Sequence, residues 1–182
     1  MKLITGHSGQ NHITANDDAS LRAALIGAGE YVLDKGSKFA YQISTNNLVV
    51  LSGGEAVFQG RHCRTDTNDR ENCVIENGTQ GQIRHDLICI KYTQTAGTES
   101  TEIVVVKGTP GPAGTDPVYV TGDISDGATE HHMPLYRVVL NGLNIESVAP
   151  LYQVRHRIPN FSYGTGDPSG GEDGDVYFKI IE

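Results

Sequence analysis

MPLYRVVLNGLNIESV, residues 133–148, decides the fold class. Asn141-Gly142 lies between two apolar-rich runs, and this dipeptide tolerates the positive φ that both central residues of a type I′ turn need. A two-residue loop there sets a register. Leu140 then faces Leu143, Val138 faces Ile145, and Tyr136 faces Ser147, all on one face because side chains alternate. The other face pairs Val139 with Asn144, Leu135 with Val148, and Arg137 with Glu146, an opposite-charge pair. Turn chemistry, alternation and charge all predict a β-hairpin.

The wider composition agrees. The chain has 182 residues, enough for one domain with a real core or two small ones. Glycine is high at 22 and Trp is absent, as short strands and many turns require. The formal net charge of −8 argues against a general nucleic-acid or anionic-membrane binder, which needs a basic patch. No apolar run approaches the roughly 20 residues that span a bilayer. MKLITGHSGQ at the start, with one Lys and a short apolar patch, does not read as a secretory signal, so synthesis in the cytoplasm is expected. Release outside a cell inside a larger particle stays compatible with that.

Along the chain, residues 1–15 read as an irregular arm with a short strand at 2–5. Asn16-Asp17-Asp18 opens a helix, with Asn16 or Asp17 as the cap and the acids at the positive end of the dipole. Leu21, Ala24, Leu25 and Ala28 fall at helical spacing, and Gly27 and Gly29 end the helix. Strands are predicted at residues 31–34, 39–44, 48–51, 55–63, 73–76, 86–93, 101–107, 118–121 and 151–158. Gly53-Gly54 reads as a turn and residues 64–72 as a charged surface loop. Residues 94–100 form a longer hairpin loop. LICIKY and EIVVVK are apolar on both faces and read as central strands. GTPGPAG, residues 108–114, has glycine at every third position. Barely two triplets cannot hold a collagen helix, so this is a Pro/Gly-rich loop. SYGTGDPSGGEDGD, residues 162–175, reads as a linker. The apolar strand VYFKII after it needs a sheet edge to dock on, expected on a neighbouring subunit.

Chemistry is sparse. There is no GxSxG, P-loop, HExxH or CxxC pair, and no glycine fingerprint opening a helix after a strand. His7, His12, His62, His85, His131 and His132 are the candidate ligands. A zinc site needs three or four ligands close in space, and spacing alone does not gather these. A nucleophile would need Cys63 or Cys73 activated by His62 or His85. The odd count of three cysteines reads as reduced thiols, with a Cys63–Cys73 disulfide open on release to an oxidising medium. Asp17-Asp18 belongs to the helix start. Glu172, Asp173 and Asp175 lack the spacing of a calcium loop. Asn77-Gly78-Thr79 and Asn160-Phe161-Ser162 match the glycosylation sequon. No catalytic, cofactor-binding or metal residue is therefore assigned, and no cofactor is expected.

Four stretches carry a likeness to a known group. They are TGHSGQNHITANDDASLRAALIGAGEYVLD, KGTPGPAGTDPVYVTGD, MPLYRVVLNGLNIESVAPLY and GTGDPSGGEDGDVYFKIIE. Together they resemble short structural proteins of the tail modules of phages and prophages of Gram-positive bacteria. The resemblance implies a baseplate, tail-fibre or minor structural component, located in the virion tail and partnered by other tail proteins. It also implies a homo-oligomer, with a trimer favoured. It carries no catalytic motif, so no site residue comes with it.

The expectation is a mainly β protein: an antiparallel β-sandwich or barrel-like domain with one short N-terminal helix and a Gly-rich C-terminal extension. The domain takes residues 1–158, and residues 159–182 are linker and terminal strand. The function expected is a structural, non-enzymatic tail subunit without nucleic-acid binding or membrane insertion. The alternative is a receptor- or carbohydrate-binding module at the tail tip, with a host surface glycan as partner. That reading wants exposed aromatics, for which Tyr152, Phe161 and Tyr163 are the candidates. A glycan depolymerase would instead need paired Asp/Glu at a cleft.

Overall fold

The computed structural model of the chain describes residues 4, 12–156, 161–171 and 175–181. The expected strand at residues 2–5, all but Ile4, and the arm around His7 lie outside the described residues. The protein is mainly β, 55% strand and 7% helix, with one short helix and antiparallel sheets, one of them curled into a half-barrel.

The helix α1 runs Ala15–Ile26. Its cap is Thr14, two or three residues before the expected Asn16 or Asp17. The Thr14 hydroxyl accepts from the Asp17 N–H, and the Asp17 carboxylate accepts from the Thr14 N–H, a reciprocal capping box. Gly27 ends the helix by donating its N–H to the Ala23 carbonyl.

The strands are β1 Glu30–Gly36, β2 Tyr41–Thr45, β3 Leu48–Phe58, β4 Arg61–Val74, β5 Ile83–Thr95, β6 Thr98–Val106, β7 Glu130–Asn141, β8 Asn144–Pro150 and β9 Gln153–Arg155. In the first sheet β3 carries β4 along one edge. Its other edge takes β2 on the first half and β1 on the second. β9 then joins β1 in parallel. The second sheet has the order β6-β5-β7-β8. The inner faces meet in one core: Val32, Val49, Leu51 and Phe58 from the first sheet, Ile88, Ile90, Tyr92, Met133, Leu135, Val138 and Leu140 from the second. Tyr136 and Tyr152 donate across the sheets to the carbonyls of Phe39 and Lys38, at 3.0 and 3.1 Å.

The hairpin of residues 133–148 forms as β7 and β8, in a different register. The two loop residues are Gly142 and Leu143, because Asn141 pairs with Asn144. Gly142 has φ +59, and Leu143 is not among the residues with positive φ. One positive φ at the first central position is the type II′ pattern, not I′. A bulge then skips Glu146, so Val139 faces Ser147, Val138 faces Val148, and Arg137 faces Ala149. The Arg137–Glu146 pairing does not occur, and Arg137 pairs with Asp116 instead.

Other corrections follow from what glycine and charge are used for. Gly53-Gly54 is not a turn but the middle of β3. A Cβ on Gly53 would lie 2.2 Å from the Asp66 carbonyl oxygen, and one on Gly54 would lie 2.5 Å from the Phe39 nitrogen, so glycine is there for close backbone approach. The expected strand at residues 55–63 is a hairpin, turned at Gln59 (φ +47) and Gly60 (φ +78). Residues 64–72 belong to β4, an edge strand whose solvent-facing positions tolerate charge. Within it, residues 66–69 bulge out between Thr65 and Arg70. The loop expected at residues 94–100 shrinks to the two-residue turn Ala96-Gly97. β5 is central as expected, but β6 is an edge. Residues 118–121 form no strand and meet β7 through one bond, His132 N–H to the Val120 carbonyl at 2.8 Å.

The tail departs most. Phe161–Gly164 is a strand, β10, inside what reads as linker, and it pairs in parallel with β11 Val176–Lys179. The terminal strand therefore has a partner in its own chain. The alternation Phe161-Ser162-Tyr163 was the signal, hidden by the glycines after it.

Candidate functional site

The thiols are built for packing. Cys63, Cys73 and Cys89 are all free. Cys63 and Cys73 pair on β3 with Ala56 and Val49, seven residues apart, so they lie roughly 23 Å from one another at about 3.3 Å per residue. A disulfide needs Cα atoms within about 7 Å, so these two do not bridge. Burial pushes Cys63 up to about 11 and Cys73 and Cys89 up to about 12. His62 cannot activate Cys63, because neighbours on a strand point to opposite faces. Its Nε2 pairs with Glu55 at 2.8 Å.

The histidines do not converge. His62 meets Glu55, His85 meets Asp116 at 2.9 Å, His131 meets Glu30 at 2.6 Å, and His156 meets Asp34 at 2.7 Å. The Nε2 of His132 lies 3.2 Å from Glu130 without hydrogen-bond geometry, and burial lowers its pKa. Each has its own carboxylate, and among the described residues no three His, Cys, Asp or Glu gather to hold a metal. Asp17 serves the helix cap, and Asp18 pairs with Arg22 at 2.5 Å. His7, Glu172, Asp173 and Asn160 lie outside the described residues.

Two polar clusters escaped the sequence reading. Arg84 and Asp86, 2% and 0% exposed, form a bidentate pair with both bonds at 2.8 Å. Arg84 also donates to the carbonyls of Asn77 and Glu76, and Asp86 accepts from the Gly108 N–H at 2.9 Å. The pair thus pins two loops to β5. Opposite charges at i and i+2 in an apolar strand share one face, and that spacing was the available signal. The second cluster is Asp116, which takes two bonds from Arg137 and one from His85. The Arg137 guanidinium, then His85, holds the Asp116 carboxyl below its ordinary range. This anchors the 107–129 loop across the outer face of β5 and β7.

That loop closes one side of a cleft of about 570 Å³, lined by Glu30, Tyr31, Asp116, Tyr119, Arg137 and Tyr152 among others. Arg155 covers the Tyr31 ring at 5.2 Å, and the Tyr152 hydroxyl turns inward to Tyr136 at 3.0 Å. Tyr119, half-buried, is the aromatic left to meet a ligand.

The C-terminal sheet presents an exposed apolar face. Alternation and register put Phe161, Tyr163, Val176, Phe178 and Ile180 on one face. Phe161 and Phe178 stack there with centroids 6.3 Å apart. Phe161, Tyr163, Phe178 and Ile180 are 65, 79, 59 and 49% exposed. The opposite face is occupied by the chain itself: Tyr177 donates to the Gly166 carbonyl at 3.0 Å, and Lys179 pairs with Asp167 at 2.6 Å. The expected aromatic trio is split, with Tyr152 in the main domain and Phe161 and Tyr163 here. Among the described residues, no helix is long and apolar enough to cross a membrane. No protein-family model matches the chain, and no curated protein matches it.

Proposed function

We propose that the protein is a structural subunit of a bacteriophage or prophage-derived tail, baseplate or tail fibre, acting through protein–protein assembly and not through catalysis. The observation that carries this is the open aromatic face of the C-terminal sheet. A two-stranded sheet is marginal alone, and parallel sheets are normally covered on both faces. An assembling chain has such a surface; among the described residues Cys73 and Cys89 are buried, Cys63 is half-buried, and the histidine–carboxylate pairs are scattered. The resemblance of the four sequence stretches to phage tail components supplies the setting and implies a homo-oligomer. The test is mass spectrometry of purified particles from the host that encodes the chain, with immunogold labelling. The chain should appear in intact particles with label on the tail. Its absence from particles that carry their other tail proteins would overturn the proposal.

A second reading, a receptor- or carbohydrate-binding module at the tail tip, is favoured by the cleft beside Tyr119. Sugar recognition commonly uses an aromatic wall and fixed polar groups, and Tyr119, Glu30 and Asp116 supply both. Binding of host-surface glycans, lost in Tyr119→Ala with the fold intact, would support it. Equal binding by both proteins would refute it.

A further inference from the structure

We infer that the open face of the β10–β11 sheet is a self-association surface, occupied by the same face of a second copy of this chain. The inference rests on the assembly reading and names its partner. Three observations point to a copy. First, among the described residues the face carries no charge. Lys179 lies on the other side and is already paired with Asp167. A chain of net charge −8 repels its copies, and an uncharged face is where that repulsion opposes contact least. Second, the face is self-complementary. An isologous contact sets the same patch of both copies together, with residue i on residue j and j on i. A patch of Phe161, Tyr163, Val176, Phe178 and Ile180 needs only apolar neighbours, and its parallel Phe161–Phe178 rings can stack on their mates. Third, the size fits. At roughly 200 Å² per aromatic side chain, these exposures leave roughly 400–500 Å² of mostly apolar surface open. Two copies face to face cover close to the roughly 1,000 Å² at which specific interfaces begin. Among the described residues β10 and β11 pair only with each other, so their outer edges add backbone groups at the rim.

The experiment is light scattering on the full-length chain across roughly hundredfold in concentration, with Phe178→Glu, Tyr163→Ser and Val118→Glu. Val118 is 95% exposed outside this sheet and is the control. The parent and Val118→Glu should have at least twice the 19.6 kDa chain mass. Phe178→Glu should be a monomer. If Phe178→Glu unravels the small sheet, Tyr163→Ser decides, because a side chain 79% exposed can be trimmed without disturbing the chain's own packing. It should weaken association at least tenfold. A monomeric parent, or unchanged association in both face variants, would overturn the inference. The outcomes separate from those of the assembly reading. A chain found in particles yet monomeric in solution sinks the self-contact and leaves the tail role standing. A self-associating chain absent from particles does the reverse.

Discussion

Asp86→Ala should be among the most damaging single substitutions in the protein. The aspartate is 0% exposed and accepts three bonds: two from Arg84 and one from the Gly108 N–H. Removing it strands a guanidinium that is itself 2% exposed. Breaking a buried pair from one side costs about 3–5 kcal/mol, and an orphaned backbone N–H costs about 1–3 kcal/mol. These terms are coupled, so the expected loss is about 4 kcal/mol or more. For a chain of this size that lowers Tm by roughly 8–16 °C. Urea unfolding followed by circular dichroism measures it, with an unchanged slope showing that the surface exposed on unfolding is the same. A variant with no folded baseline also agrees, because total stabilities are only about 5–15 kcal/mol. The double variant Arg84→Met/Asp86→Leu removes both charges and should recover part of the loss. It still leaves the Glu76 and Asn77 carbonyls and the Gly108 N–H without those partners. A loss below about 1 kcal/mol for Asp86→Ala would refute the clamp.

Other expectations follow. Gly60→Val should destabilise more than Gly142→Val: both glycines have positive φ, but a Cβ at 60 would lie 2.0 Å from the Ala19 carbonyl oxygen, whereas at 142 its nearest neighbour is 3.9 Å away. Equal melting temperatures would contradict the packing of α1 on that turn. The three thiols should react slowly with an alkylating agent at pH 8 and all react once urea is added; rapid native labelling of Cys73 or Cys89 would be inconsistent with their raised pKa. His132 is depressed below 6.5 by burial, so its contribution is full above about pH 6.5 and is lost as pH falls through the folded value. His132→Gln should flatten the stability profile below pH 6.5. Asp116 is held below 3.8 chiefly by Arg137, so its contribution disappears only in stronger acid, and Arg137→Gln should move acid unfolding to higher pH. Unchanged profiles would count against both assignments.

Much of the fold was legible because local chemistry agreed with it. The capped helix, the apolar strand at residues 86–93 and the hairpin at residues 133–148 all exist. Register was not legible, because Asn-Gly permits I′ while Gly at the first central position permits II′, one residue apart. The bulge at Glu146 then re-aims the strand and frees Arg137 for Asp116, a partner 21 residues away that no local pattern marks. Gly53-Gly54 misled because glycine serves close approach as well as turns, and only the neighbouring Phe39 and Asp66 distinguish the two. The charged run at residues 64–72 hid an edge strand, since edges favour polar side chains as loops do. Strand β10 hid because four residues are too few for periodicity to stand out beside glycine-rich chain. The apolar half of the candidate assembly face, VYFKII, was visible; its aromatic partner Phe161-Ser162-Tyr163 was not.

The most direct measurement of the assembly role is a cryo-electron microscopy map of the intact tail at side-chain resolution. The chain should occupy the tail or baseplate in more than one copy, with Phe161, Tyr163 and Phe178 buried against the same residues of a neighbouring copy. A tail without the chain, or one in which that aromatic face looks into solvent, would contradict the account.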